Sequence, residues 1–78
     1  MNTEYILEVL DELGNELMNL HHENWLMKEK FDDNMDYSGY GVCCTIEKRL
    51  TRISNLLQHI QGEIEEEDLR LYEIESQI

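Results

Sequence analysis

Apolar residues recur along the second half of the chain at Ile46, Leu50, Ile53, Leu57, Ile60, Ile64, Leu71, Ile74 and Ile78. The steps are four and three, broken once at Glu67. That spacing keeps a single seam on one side of a helix wound at about 3.5 residues per turn. The first half repeats the pattern with Ile6, Leu10, Leu13, Leu17, Leu20, Asn24, Met27 and Phe31. Two seams of similar length in one short chain leave few folds open. The chain contains no proline, and of its four glycines Gly39 and Gly41 fall between the seams while Gly14 and Gly62 interrupt the two helices at about the same level.

That region runs Asp32-Asp33-Asn34-Met35-Asp36-Tyr37-Ser38-Gly39-Tyr40-Gly41 and is rich in turn-forming residues. The expectation is one domain over residues 1–78, all-α, an antiparallel two-helix hairpin of coiled-coil type. Helix 1 is expected at about residues 3–32, the loop at about 33–41 and helix 2 at about 42–77. Asn2 or Thr3 can cap the first helix, with Glu4 in its first turn. Matching the seams outward from the loop sets Phe31 against Ile46, Met27 against Leu50, Leu20 against Leu57, Leu13 against Ile64 and Ile6 against Leu71. In that register Asn24 faces Ile53 and Glu67 faces Leu10. A seam asparagine either fixes register and oligomeric state or marks a locally hydrated stretch. Both readings stand for Asn24.

Two helices touching along one stripe bury little, and chains of this size commonly need a second subunit, a disulfide or a metal. Met18 and Trp25 are seven apart on one outer row, with Leu26 beside it. This row is expected to be either the face by which two copies form a four-helix bundle or a docking face for another protein, since tryptophan is enriched at binding hot spots.

Eighteen acidic side chains against six basic ones give a net charge of −12. Such a chain repels phosphate, so direct binding to nucleic acid or to an anionic membrane surface is not expected. The complement of this charge is a basic protein surface. In a hairpin, Glu4, Glu8, Asp11 and Glu12 lie beside Glu63, Glu65, Glu66, Asp68, Glu73 and Glu75. These ten carboxylates form the candidate partner-binding face, set against the alternative of a merely solvated surface.

Site chemistry is sparse. Asp32, Asn34, Asp36 and Ser38 match the first ligand positions of a calcium loop. Tyr37 then replaces the required glycine, and Cys43 the bidentate glutamate. His21-His22 and Cys43-Cys44 carry zinc-type atoms, but adjacent residues on a helix diverge by about 100° and chelate poorly. No phosphate-binding glycine loop and no nucleophile with an oxyanion site is recognisable. No cofactor, no metal and no enzymatic activity is expected. The start of the chain does not read as a secretory signal, and charges interrupt every apolar run well short of the roughly 18 residues of a membrane span. Two adjacent cysteines make no disulfide framework, so a cytoplasmic, reducing setting is expected, that of the host cell if the source is a phage.

In size and charge the chain is similar to phage-encoded inhibitors of host nucleases. It lacks the serine–glutamine–x–leucine–aspartate signature of the sporulation phosphatase regulators and the tryptophan–x–glycine turn of secreted helical hairpins. The leading expectation is a small acidic, non-enzymatic regulator or inhibitor of a basic, nucleic-acid-binding partner protein, acting by nucleic-acid mimicry. The alternative is a structural or adaptor coiled-coil subunit whose main role is oligomerisation.

Overall fold

The computed structural model describes residues 2–76, with backbone alone at Glu75 and Ser76. Gln77 and Ile78, the expected end of the second seam, lie outside the described residues. Two α-helices, α1 (Thr3–Asp33) and α2 (Tyr37–Ser76), fold back on each other as an antiparallel hairpin. The molecule measures 66 × 16 × 14 Å. Among the described residues there is no strand, and no helix is long and apolar enough to cross a membrane.

Local chemistry sets the helix ends. The Asn2 side chain accepts a hydrogen bond from the Tyr5 N–H at 3.2 Å, which caps α1. At the other end the Met35 N–H donates to the Asp32 carbonyl (3.0 Å) and the Asp36 N–H to the Phe31 carbonyl (2.8 Å). This is a Schellman closure, and it requires a left-handed residue just past the cap. Met35 occupies that position with φ 55°. The next residue, Asp36, starts α2: its carboxylate accepts from the Gly39 N–H at 3.1 Å.

The connection is therefore only Asn34–Asp36, not 33–41, and α2 begins at Tyr37 rather than near Val42. Gly39 and Gly41 read as loop residues but lie in the first turns of α2. Gly39 is there for contact: a Cβ at this position would fall within the Phe31 ring, 2.6 Å from Cε1. The Phe31 ring thus packs on the bare backbone of α2 and draws the two helices together at the turn.

The shorter turn shifts the register. Lys28 pairs with Glu47 at 3.2 Å, where the expected alignment would bring residue 49. His21 meets Ser54 at 3.4 Å rather than residue 56. The Asn24 amide donates to the Cys43 carbonyl at 2.9 Å instead of facing Ile53. Asn24 is only 4% exposed, so the seam is closed to solvent there.

The seam is also rotated. Its centre is the heptad-spaced row Leu10, Leu17, Asn24 and Phe31 on α1, with Cys43, Leu50, Leu57 and Ile64 on α2, all buried or half-buried. A residue four further on lies about 40° to one side of such a row, and a residue three further on about 60° to the other. On the first side are Gly14, His21 and Lys28, closed against Glu47, Ser54 and Gln61 by the two contacts just described and by Gln61 Nε2 donating to Asp11 Oδ1 at 3.2 Å. Gly14 lets the Leu57 side chain approach within 3.8 Å of where a Cβ would stand. On the second side are Leu13, Leu20 and Met27 with Ile46, Ile53 and Ile60. All but Ile46 are nearly half exposed. These six were expected inside the seam. The small and polar residues of the first edge close the helices together there, which leaves the bulkier apolar row on the open edge.

Among the described apolar side chains only Leu10, Cys43 and Leu50 are buried, and only Cys43 fully. From Glu65 to Ile74 every side chain is exposed, Glu67 and Leu71 included, so the expected Ile6–Leu71 and Leu10–Glu67 layers are not closed.

Candidate protein-binding surfaces

The antiparallel fold converts a charge gradient along the sequence into a charge gradient along the rod. Lys28 and Lys30 end α1, and Lys48, Arg49 and Arg52 lie in the early part of α2, so five of the six basic residues sit in the half nearest the turn. The far half carries Glu4, Glu8, Asp11, Glu12 and Glu16 from α1 beside the Glu63–Asp68 run and Glu73 from α2. Arg70 is its only lysine or arginine.

Nine of the ten expected face residues, Glu4, Glu8, Asp11, Glu12, Glu63, Glu65, Glu66, Asp68 and Glu73, have exposed side chains at this end. The tenth, Glu75, lies outside the residues whose side chains are described. Several of these carboxylates have partners. Arg70 reaches Glu66 at 3.3 Å and Glu67 at 3.7 Å, His59 stands 3.9 Å from Glu63, and Asp11 accepts from Gln61. These groups are solvated and each exposed pair holds little energy. Of the two helix ends at this tip, the start of α1 favours Glu4 in its first turn, whereas the last turn of α2 contains no basic residue. The tip therefore concentrates negative charge whose self-repulsion opposes the fold holding it.

The turn-proximal half contains an ion pair that joins the two helices. Lys28 bonds Glu47 and lies over the Tyr40 ring, 5.3 Å from its centre. The bond to the Glu47 carboxylate, outweighing a partial loss of solvation, raises the Lys28 pKa above its ordinary value of 10.5.

The expected outer face divides. Met18, Trp25 and Leu26 are all exposed, Trp25 at 52%. Trp25 and Met18 flank the polar edge of the seam, where Met18 borders a shallow cleft of about 270 Å³ with Gly14, Ser54, Leu57 and Gln58. Leu26 lies about 100° further round the helix and shares no surface with them. The Trp25 ring stacks on His22, 6.4 Å between centres and 17° between planes, which covers one of its faces locally. The row of Leu13, Leu20, Met27, Ile53 and Ile60 makes a longer and more continuous apolar surface. Sequence reasoning assigned it to the core. The signal that could have separated it was the small and polar row Gly14, His21, Ser54 and Gln61, one position further along each helix.

Other side chains with chemical potential are used structurally. Asp36, a candidate calcium ligand, caps α2. His21 is half-buried against Ser54, and Cys43 is buried at 1% exposure on the central row beside half-buried Cys44. Among the described residues no group of three or more histidines, cysteines or carboxylates is placed to share a metal ion. Comparison of the chain with protein-family models, with curated proteins and with solved structures returns no match.

Proposed function

We propose that this protein is a small non-enzymatic regulator whose carboxylate-rich end binds a basic surface on a partner protein. A partner that itself binds nucleic acid fits best, because an exposed double row of carboxylates offers charge where phosphates would lie. In this reading the protein acts as a homodimer, its two hairpins completing a four-helix bundle that presents the acidic ends. The observation that carries the proposal is the segregation of charge: five basic residues are retained near the turn while the far half pools its carboxylates and bears the self-repulsion.

The test is capture from a lysate of the source cell on immobilised protein. Native protein retains a partner that moderate salt releases, because exposed charge pairs are screened within about 8–10 Å at such ionic strengths. The triple variant Glu65→Lys, Glu66→Lys, Asp68→Lys keeps its helical content and retains none. Duplex DNA competes for the partner if phosphate mimicry operates. A partner held equally by native and triple-variant protein, or held at high salt, contradicts the reading. The second reading is a structural or adaptor subunit, favoured by the half-exposed apolar row. It predicts that the charge variant is neutral while substitution in that row abolishes function.

A further inference from the structure

The apolar edge of the hairpin has a geometry that selects its own occupant. We infer that it docks on the same edge of a second copy of this chain, with the two hairpins running in opposite directions. The inference rests on the homodimer of the preceding section and names its face and its orientation.

Three observations lead there. First, the hairpin alone buries too little, with only three apolar side chains buried among those described and, of these, Cys43 alone fully so. A stable interface removes about 800 Å² per partner, roughly an eighth of this chain's 6695 Å². An edge running from Leu13 to Met27 and from Ile46 to Ile60, about 21 Å long at 1.5 Å per residue and extended by Val9, Val42 and Leu56, offers a surface on that scale. Second, the central part of the row is close to symmetric: Leu13 and Met27 lie seven residues either side of Leu20, and on α2 Ile53 and Ile60 lie three and four residues either side of Leu56, with Ile46 beyond the symmetric part. Reversing one copy about a twofold axis near Leu20 and Leu56 sets Leu13 against the second copy's Met27 and Ile53 against its Ile60. This is the isologous contact of a closed dimer.

Third, the charges decide the direction. Arg49 and Glu63 flank the row seven residues either side of Leu56. In the reversed arrangement Arg49 of each copy stands opposite Glu63 of the other, twice per dimer, which offsets the approach of Glu16 to Glu23 of the other copy on the α1 side. More broadly, the turn-proximal half of each hairpin, where five basic residues nearly balance six carboxylates, then lies over the strongly acidic half of its mate. Two hairpins aligned the same way would superimpose their carboxylate ends, which like-charge repulsion disfavours. A cationic partner would match the carboxylates but not the uncharged row. The dimer that results carries one carboxylate cluster at each end of the rod, so it is bivalent for any basic partner.

Sedimentation equilibrium of the full chain, with helicity followed by circular dichroism, tests this. Native protein sediments as a dimer at micromolar concentration. Leu20→Arg and Leu56→Arg each give monomers that keep their helicity, because both side chains are already about half exposed. Trp25→Arg, on the opposite flank, remains dimeric. Arg49→Glu turns two attractive contacts repulsive and weakens the dimer about tenfold, and adding Glu63→Arg restores it. A native monomer at all concentrations overturns the homodimer itself. A dimer insensitive to Leu20→Arg and Leu56→Arg, or broken by Trp25→Arg, overturns the face while the homodimer stands. A dimer indifferent to Arg49→Glu overturns the orientation.

Discussion

Asn24 gives the most informative perturbation of the fold. It sits on the central row at 4% exposure, its amide nitrogen bonded to the Cys43 carbonyl at 2.9 Å. Its amide oxygen is buried without a hydrogen-bond partner. Replacing it with leucine removes one neutral hydrogen bond, a loss of about 1 kcal/mol, and relieves an unsatisfied buried acceptor that costs about 1–3 kcal/mol. It also buries an aliphatic side chain, a gain of about 1.5–3 kcal/mol before any misfit. Overpacking in a seam this narrow returns about 1 kcal/mol or more. The net expectation is a gain of about 2 kcal/mol. For a domain of this size that raises the melting temperature by roughly 8–16 °C. Thermal and urea unfolding by circular dichroism at one fixed protein concentration measures it. The cost should appear as lost specificity, in the form of additional oligomeric species, since a seam asparagine typically disciplines register. Asn24→Leu unfolding below the native temperature would refute the reasoning and mean that the oxygen is satisfied.

Three further outcomes follow from the turn and its neighbours. Gly39→Ala should destabilise by about 1–3 kcal/mol by overpacking against Phe31, whereas Gly41→Ala and Gly62→Ala, which meet nothing within 4 Å, should stabilise by about 0.5–1 kcal/mol in a helix interior; urea midpoints report the opposite signs. Met35→Gly should stabilise by about 1 kcal/mol, because the side chain is 74% exposed and its left-handed backbone is strained. Lys28 should deprotonate above pH 10.5 in an NMR titration and return toward its ordinary value in Glu47→Gln. With the folded pKa raised, the contribution of this pair to stability is complete at neutral pH and disappears only as pH climbs through the raised value.

How much of this was legible beforehand differs by level. Heptad spacing carries the two helices and their antiparallel packing, because periodicity reports directly which residues share a side. The cap narrows in the sequence to Asn2 or Thr3, and Asn2 fills it. The turn was not, because Gly39 and Gly41 look like loop residues until Phe31 is known to need a bare backbone, and because methionine rarely occupies a left-handed position. From that misplaced turn came the two-residue slip that separated Asn24 from Ile53. The rotation of the seam is a subtler failure. The spacing from Leu10 to Leu13 and from Leu10 to Gly14 fits a helix face equally well, and hydrophobicity favoured Leu13. Closure instead went to the side where glycine, serine and paired polar groups allow close approach. The acidic end was readable from charge and topology alone, whereas Leu26 could not be separated from Trp25 without the angle between them.

The central claim is that each chain doubles back on itself at Asn34–Asp36, with Gly14 packed under Leu57. An isotope-filtered nuclear Overhauser experiment on mixed labelled and unlabelled protein tests it most directly. The account predicts a cross-peak between the Gly14 Hα and a Leu57 methyl within single chains. The same cross-peak arising solely between labelled and unlabelled chains, with none inside a chain, would mean that the helices pair between copies and would contradict it.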